Sequence, residues 1–290
     1  MTARTDIEAF FDRHTNTVSY LVSEQDGAAA AIIDPVLGYD HARGTVDTNS
    51  ADAMLAAATA RGCRVEWILE THAHADHLSA APYLKAKTGA KVAIGEHIAE
   101  VQSVFAPVFG AKDVSGTGAE FDRLLADGDD VPLGALRIEV MHTPGHTPAC
   151  VSYRIGDAVF VGDTLFMPDF GTARTDFPGG DAHALYRSIR KILALPGTTR
   201  LFLCHDYLPT TGRDRHAWAT TVATQRAHNI HVHDGISEEQ FVHMRQRRDK
   251  DLPPPALLLP SVQVNIRAGQ MPPPTADGQT FLRIPVRPAA

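Results

Sequence analysis

Four residues within six positions, His72, His74, Asp76 and His77 in the stretch ETHAHADHLSA, are of types that bind transition metals. Imidazole and carboxylate together suit zinc, iron or manganese. His72 and His74 are two apart, so an extended segment points them the same way. Loop ligands of this kind need partners from distant segments to close a site. The chain offers such partners in order: His146 in HTPGHTP, Asp163 in VGD and His205 in CHDY. A lone histidine is most simply a surface or core residue, but here each motif follows an expected strand. One ion with open positions suits oxygen chemistry and two suit hydrolysis. The opening cluster alone leaves both readings standing.

The elements that must position these residues are legible in the apolar pattern. Thr17–Val22 and Ala28–Ile33 flank EQDG and predict a hairpin with an Asp-Gly turn, ended by Asp34-Pro35. Gly38–Ser50 is polar and reads as a loop, and Ala51–Ala60 reads as a helix with Gly62 near its C-terminus. Val65–Leu69 predicts a short buried strand that runs straight into the histidine cluster, followed by a helix over Ala80–Lys87 and a strand over Lys91–Ile94. Leu136–Met141 alternates as a strand and leads to HTPGHTP. Cys150–Ile155 and Ala158–Val161 flank Gly156-Asp157 as a second hairpin, and the latter ends at Gly162-Asp163. Asp181–Leu193 sets Leu185, Ile189 and Ile192 on one helical face, and Leu201–Leu203 is a strand that ends at Cys204-His205-Asp206. Four strand ends thus deliver ligand-type residues to loops. Two β-rich halves with interspersed helices predict two packed sheets with helices outside.

Residues 231–290 differ in kind. ISEEQF predicts a helix start with Ser237 as N-cap and Gln240 three residues on. Proline runs at 253–255 and 272–274 predict a tail without a core of its own, in which VQVNIRAG reads as a short strand or an extended strap. Residues 1–230 then form the catalytic domain, and 231–290 pack on it or on a partner.

The 290 residues, 44% hydrophobic and 21% charged, fit one large domain or a domain with an appendage. A net charge of -7 argues against a general nucleic-acid binder. No apolar run approaches the roughly 18 residues needed to span a bilayer, and MTARTDIEAFFDRHTNTV lacks the apolar core of a signal peptide. Cys63, Cys150 and Cys204, odd in number and without C-x-x-C spacing, argue against a disulfide framework or a zinc ribbon. A cytoplasmic enzyme is the expectation.

THAHADH, HTPGHT, GDT and CHDY, in this order, resemble the metallo-β-lactamase superfamily over roughly residues 15–230. The resemblance implies an α+β fold, an αββα four-layer sandwich with the metal site at one edge. A finer resemblance is to the persulfide dioxygenases (the ethylmalonic-encephalopathy-type sulfur dioxygenases), and within them to the bacterial β-lactamase-hydrolase-like branch. It rests on ARTDF at 173–177, on HDY at 205–207, and on the tail order of SEEQF, prolines and VQVNIRAG. Thr172-Ala173 stands where relatives commonly have Cys-Gly, a departure that touches substrate packing rather than metal binding.

That resemblance implies one Fe(II) per chain, held by His72, His146 and Asp163, with no organic cofactor. Glutathione persulfide or a similar low-molecular-weight persulfide would be oxidised with O2 and water to sulfite and glutathione, in sulfide detoxification. His74, Asp76, His77 and His205 would orient ligands, water or substrate. Arg174 is the candidate clamp for a glutathione carboxylate, with a salt bridge to Asp176 as its structural alternative. Tyr207 is the second substrate-binding candidate. His142 matches no ligand position and reads as structural, and Cys204 reads as a buried, inert thiol. A homodimer is the implied assembly, with the tail as a strap across it. The competing resemblance, to glyoxalase II-type hydroxyacylglutathione hydrolases, implies two metals. His74 would then join the first, and Asp76, His77 and His205 would build the second.

Overall fold

The computed structural model describes residues 5–25 and 27–286. Asp26 of the expected Asp-Gly turn lies outside the described residues. The first sheet has the order β1-β2-β3-β6-β8-β9. Its strands are β1 (Thr5–Asp12), β2 (Thr17–Glu24), β3 (Ala29–Ile33), β6 (Arg64–Leu69), β8 (Lys91–Gly95) and β9 (Arg123–Leu125). The second sheet runs β10-β11-β12-β13-β14-β15. It comprises β10 (Asp130–Leu133), β11 (Leu136–His142), β12 (Val151–Ile155), β13 (Ala158–Phe160), β14 (Arg200–Phe202) and β15 (Ala219–Thr221). A small ribbon joins β4 (Val36–Asp40) to β5 (Thr45–Asp47) and to β7 (Leu78–Ser79). The helices are α1 (Asn49–Ala60), α2 (Ala81–Thr88), α3 (Ile98–Phe109), α4 (Ala182–Leu193), α5 (Val222–His228), α6 (Glu238–Asp249) and α7 (Leu258–Asn265).

Strand periodicity sorts side chains into three apolar layers. In β3, Ala30 and Ile32 face the layer shared with α1, α2 and α3, while Ala29, Ala31 and Ile33 face the second sheet. In β13, Ala158 and Phe160 face the first sheet, while Val159 faces Leu185, Ile189 and Ile192 of α4. Helix, sheet, sheet and helix therefore stack as an αββα sandwich, as the motif order implies.

Two expectations are corrected. Gly38–Ser50 is not a loop: β4 and β5 pair from Gly38↔Asp47 to Asp40↔Thr45. This exposed ribbon buries little of either face, so its sequence carries no alternation. VQVNIRAG is neither strand nor strap but the end of helix α7 and the turn after it. Val262, Val264 and Ile266 are fully buried, and Val262 and Ile266 join the core under α2 and α3, so this part of the tail shares the domain's core. The capping box at Ser237 and Gln240 starts α6 as expected.

Backbone bonds close the two sheets at one edge. Val18 N donates to Cys204 O at 2.7 Å, and Val151 N donates to Thr71 O at 2.9 Å. Gly162 permits the same approach: its φ is +52°, and a Cβ there would lie 2.7 Å from Thr71 Oγ1. The loops after β6, β11, β13 and β14 all open on this edge.

Candidate metal centre

The loop after β6 is built on a buried carboxylate that sequence reading passes over. Asp34, at the end of β3 with φ +49°, accepts from Thr71 N at 2.7 Å and from Thr71 Oγ1 at 2.8 Å. Having donated to Asp34, Thr71 Oγ1 is left to accept from His72 Nδ1 at 3.0 Å. That fixes the proton on Nδ1 and leaves His72 Nε2 as a buried lone pair without a partner. Burial, then His74, holds the His72 pKa well below the ordinary imidazole value, so the ring stays neutral.

The same logic repeats around the site. His146 Nδ1 donates to Arg174 O at 2.9 Å and turns Nε2 inward. His205 Nδ1 donates to Asn16 O at 3.2 Å, and its buried Nε2 has no hydrogen-bond partner. His74 Nε2 lies 3.0 Å from Asp34 Oδ1, which leaves Nδ1 free. His77 Nδ1 lies 3.3 Å from Thr17 Oγ1, and its Nε2 is also unpartnered.

His72 Nε2 and His146 Nε2 lie 3.8 and 3.6 Å from Asp163 Oδ2. Neighbouring ligand atoms about 2.1 Å from one ion sit roughly 3–3.5 Å apart. Buried lone pairs facing a carboxylate, with no hydrogen to share among them, fit a divalent cation. His72, His146 and Asp163 form one such group. His74, Asp76 and His77 form another, and His205 Nε2 lies 3.4 Å from both Asp76 Oδ2 and Asp163 Oδ1. Burial pushes Asp76 up, but His205 and His77 outweigh it and hold the carboxyl well below its usual range. The structure thus brings all seven expected ligand-type residues to one place.

A cavity of about 450 Å³ opens on the His146 and Asp163 side. Phe166, Phe170 and Tyr207 form one wall and residues 253–257 another. Tyr207 stacks on His205 with ring centroids 5.3 Å apart. It keeps 38% exposure because it faces the open cavity. Desolvation, then the charges of Asp76 and Asp163, holds its phenol well above the ordinary tyrosine pKa. Its hydroxyl makes no hydrogen bond among the described residues. Arg174 also lines the cavity, but its guanidinium is engaged elsewhere. Nε and Nη2 bind both oxygens of Asp176 at 2.5 and 2.6 Å, and Nη1 donates to Pro253 O at 2.6 Å.

His142 is structural: its Nε2 bonds to Pro148 O at 2.9 Å. Cys204 is buried, and burial followed by the charge of Asp34 holds its thiol well above the usual value, so it stays protonated. Besides Asp34, sequence reading missed Glu70, whose unpartnered Oε2 lies 3.6 Å from His74 Nε2. It also missed Asn265, which reaches the loop from α7. An Asp-Pro pair after an apolar run was the available signal for Asp34.

Residues 13–205 match the family described as the metallo-beta-lactamase superfamily. The chain is 53% identical to a probable metallo-hydrolase of Burkholderia pseudomallei, over 97% of this chain and 98% of that one. It is 44% identical to glyoxylase B2 of Dictyostelium discoideum, over 99% and 98%. To the persulfide dioxygenase ETHE1 of Bos taurus it is 30% identical, over 93% and 91%. A beta-lactamase hydrolase-like protein of Xylella fastidiosa is 48% identical, and the chain spans 64% of its length. Among solved structures, that of ETHE1 from Myxococcus xanthus superposes with a TM-score of 0.73 at 30% identity, over 91% of this chain and 100% of that one. Among the described residues, no helix is long and apolar enough to cross a membrane.

Proposed function

The chain belongs to the metallo-beta-lactamase superfamily, and within it we propose that it is a persulfide dioxygenase that uses one Fe(II). Persulfide, O2 and water would give the thiol and sulfite, with glutathione persulfide as the leading substrate. The observation that carries this reading is the reach of the likeness. It covers 91% of this chain and all of the Myxococcus ETHE1 chain, at 30% identity.

His72, His146 and Asp163 would hold the metal, a two-histidine, one-carboxylate set that suits non-haem Fe(II). When bound, ferrous iron supplies open coordination positions and the redox chemistry that O2 requires. The protein's own part is positioning. Thr71 and the Arg174 carbonyl fix the His72 and His146 rings, which removes the entropy of finding the ligand geometry. The aromatic wall excludes bulk water from the sulfur. The protonated Tyr207 phenol stands beside the site as a hydrogen-bond donor to the substrate sulfur or to the oxygens it gains. Tyr207→Phe is expected to lower kcat about tenfold, the loss of one hydrogen bond, with iron content unchanged. An unaltered kcat would remove Tyr207 from the chemistry.

The test is O2 uptake on an oxygen electrode with glutathione persulfide and iron-loaded protein, with sulfite measured in parallel. Fully loaded protein that consumes no O2 sinks the reading. A second reading, a two-metal glutathione thioester hydrolase, is favoured by the names of the more similar relatives, a probable metallo-hydrolase at 53% identity and a glyoxylase at 44%, and by one observation in the structure. His74, Asp76, His77 and His205 are assembled with unpartnered inward nitrogens rather than dispersed. Hydrolysis of S-lactoylglutathione by protein carrying two ions per chain would support it.

A further inference from the structure

Three guanidinium groups line the cavity: Arg174, Arg245 and Arg248. Two of them are used up. Arg174 is bound to Asp176 and to the carbonyls of Leu252 and Pro253. Arg245 is buried, paired with Asp249 at 2.7 Å, and donates to Thr172 O at 3.1 Å. Asp249 is itself saturated, because its other oxygen accepts from Thr175 N at 2.9 Å and Thr175 Oγ1 at 3.0 Å. The guanidinium of Arg248, exposed on the last turn of α6, makes no hydrogen bond or ion pair among the described residues. The acidic residues of the cavity, Asp76 and Asp163, both stand at the metal end. The cavity therefore has a metal-binding floor, an apolar middle and one uncommitted cation.

We propose that Arg248, rather than Arg174, receives a carboxylate of the substrate, and that the site selects thiol-derived compounds bearing an anionic group remote from the sulfur. Arg174 is a positioning residue: it pins the wall at Leu252 and Pro253 and, through its carbonyl, the His146 ring. The proposal rests on the reading of the cavity as a glutathione-compound site. It does not depend on which reaction follows, since persulfides and thioesters of glutathione carry the same carboxylates. A charge-assisted hydrogen bond at a partly solvated mouth is worth about tenfold in affinity.

The test is anaerobic calorimetry on iron-loaded protein with two probes, glutathione and glutathione diethyl ester. Arg248→Met is expected to weaken glutathione about tenfold and leave the ester unchanged, with Arg248→Lys in between. Arg174→Met is expected to weaken both probes alike, because it releases a wall rather than a charge partner. In turnover, Arg248→Met should raise KM for glutathione persulfide and spare kcat. Unchanged glutathione affinity in Arg248→Met overturns the proposal, as does equal loss of both probes or a natural protein that binds neither. A natural protein that discriminates the probes through Arg248 yet consumes no O2 would keep this subsite and refute the dioxygenase reading.

Discussion

On the dioxygenase reading, Asp163→Asn is expected to strip the protein of iron and of O2 uptake together. Altering groups that merely orient a ligand typically costs 10–100-fold in metal affinity. A direct anionic ligand should therefore cost at least about 100-fold, enough to leave about a tenth of an iron per chain or less at free iron about tenfold above the natural Kd. Asn matches Asp in shape, so packing around the site is preserved. Its amide removes the charge that faces His72 and His146 Nε2 at 3.8 and 3.6 Å. Stability separates metal loss from misfolding. In chelator, Asp163 is a buried carboxylate with one unpartnered oxygen, so its neutralisation should leave the apoprotein within about 1 kcal/mol of the natural one. Apoprotein that unfolds many degrees lower would show that Asp163 is structural.

His77→Ala in the same assay decides between the two metal readings. With one iron held by His72, His146 and Asp163, it lowers affinity by the outer-group factor, about 10–100-fold, and the stoichiometry at saturation stays at one. With two metals it removes one equivalent. Natural protein that saturates at two ions per chain would move the function to hydrolysis.

The metal motifs were legible because each sits at the end of an apolar strand whose register the sequence dictates. Val65–Leu69 runs into the histidine cluster, and Ala158–Val161 runs into Asp163. What holds the ligands was less legible, because it comes from chain positions without local pattern. Asp34 reads as a strand terminator, and only the fold brings it under Thr71 and His74. For Arg174 the sequence left two readings open, a substrate clamp and a salt bridge to Asp176, and the structure shows the salt bridge. The residue type suits carboxylate binding, but the carboxylate Arg174 binds is its own neighbour Asp176. VQVNIRAG misleads through periodicity. Val262, Val264 and Ile266 alternate with Gln263, Asn265 and Arg267, the strand period. In the structure all six are buried, so the helix has no polar outer face to betray it. Its polar members are tertiary clamps: Gln263 Nε2 donates to Arg283 O at 2.7 Å, and Arg267 pairs with Asp113 at 2.6 Å.

Asn265 is the clamp that matters for the metal, and Asn265→Ala is expected to cost both stability and iron. Its Nδ2 donates to His74 O and His77 O, each at 2.8 Å, and its Oδ1 accepts from Ser79 N at 2.9 Å. One side chain from α7 thus ties the first and last histidines of the loop's second half to β7. Truncation leaves two carbonyls and one N–H buried, each costing about 1–3 kcal/mol if nothing replaces the bond. A water entering the space would recover part, so a loss of about 3 kcal/mol is expected. For a chain of this size that lowers Tm by roughly 6 °C. Asn265→Asp should be no milder, since a carboxylate can only accept and would face two carbonyl oxygens. Iron affinity, measured well below the melting range, should fall about 10–100-fold, because His72 and His74 share one loop and its far end is no longer fixed. A variant that lost stability yet held iron as tightly as the natural protein would make Asn265 a fold residue only. Iron loss at full stability would make α7 part of the metal site's support rather than of the core.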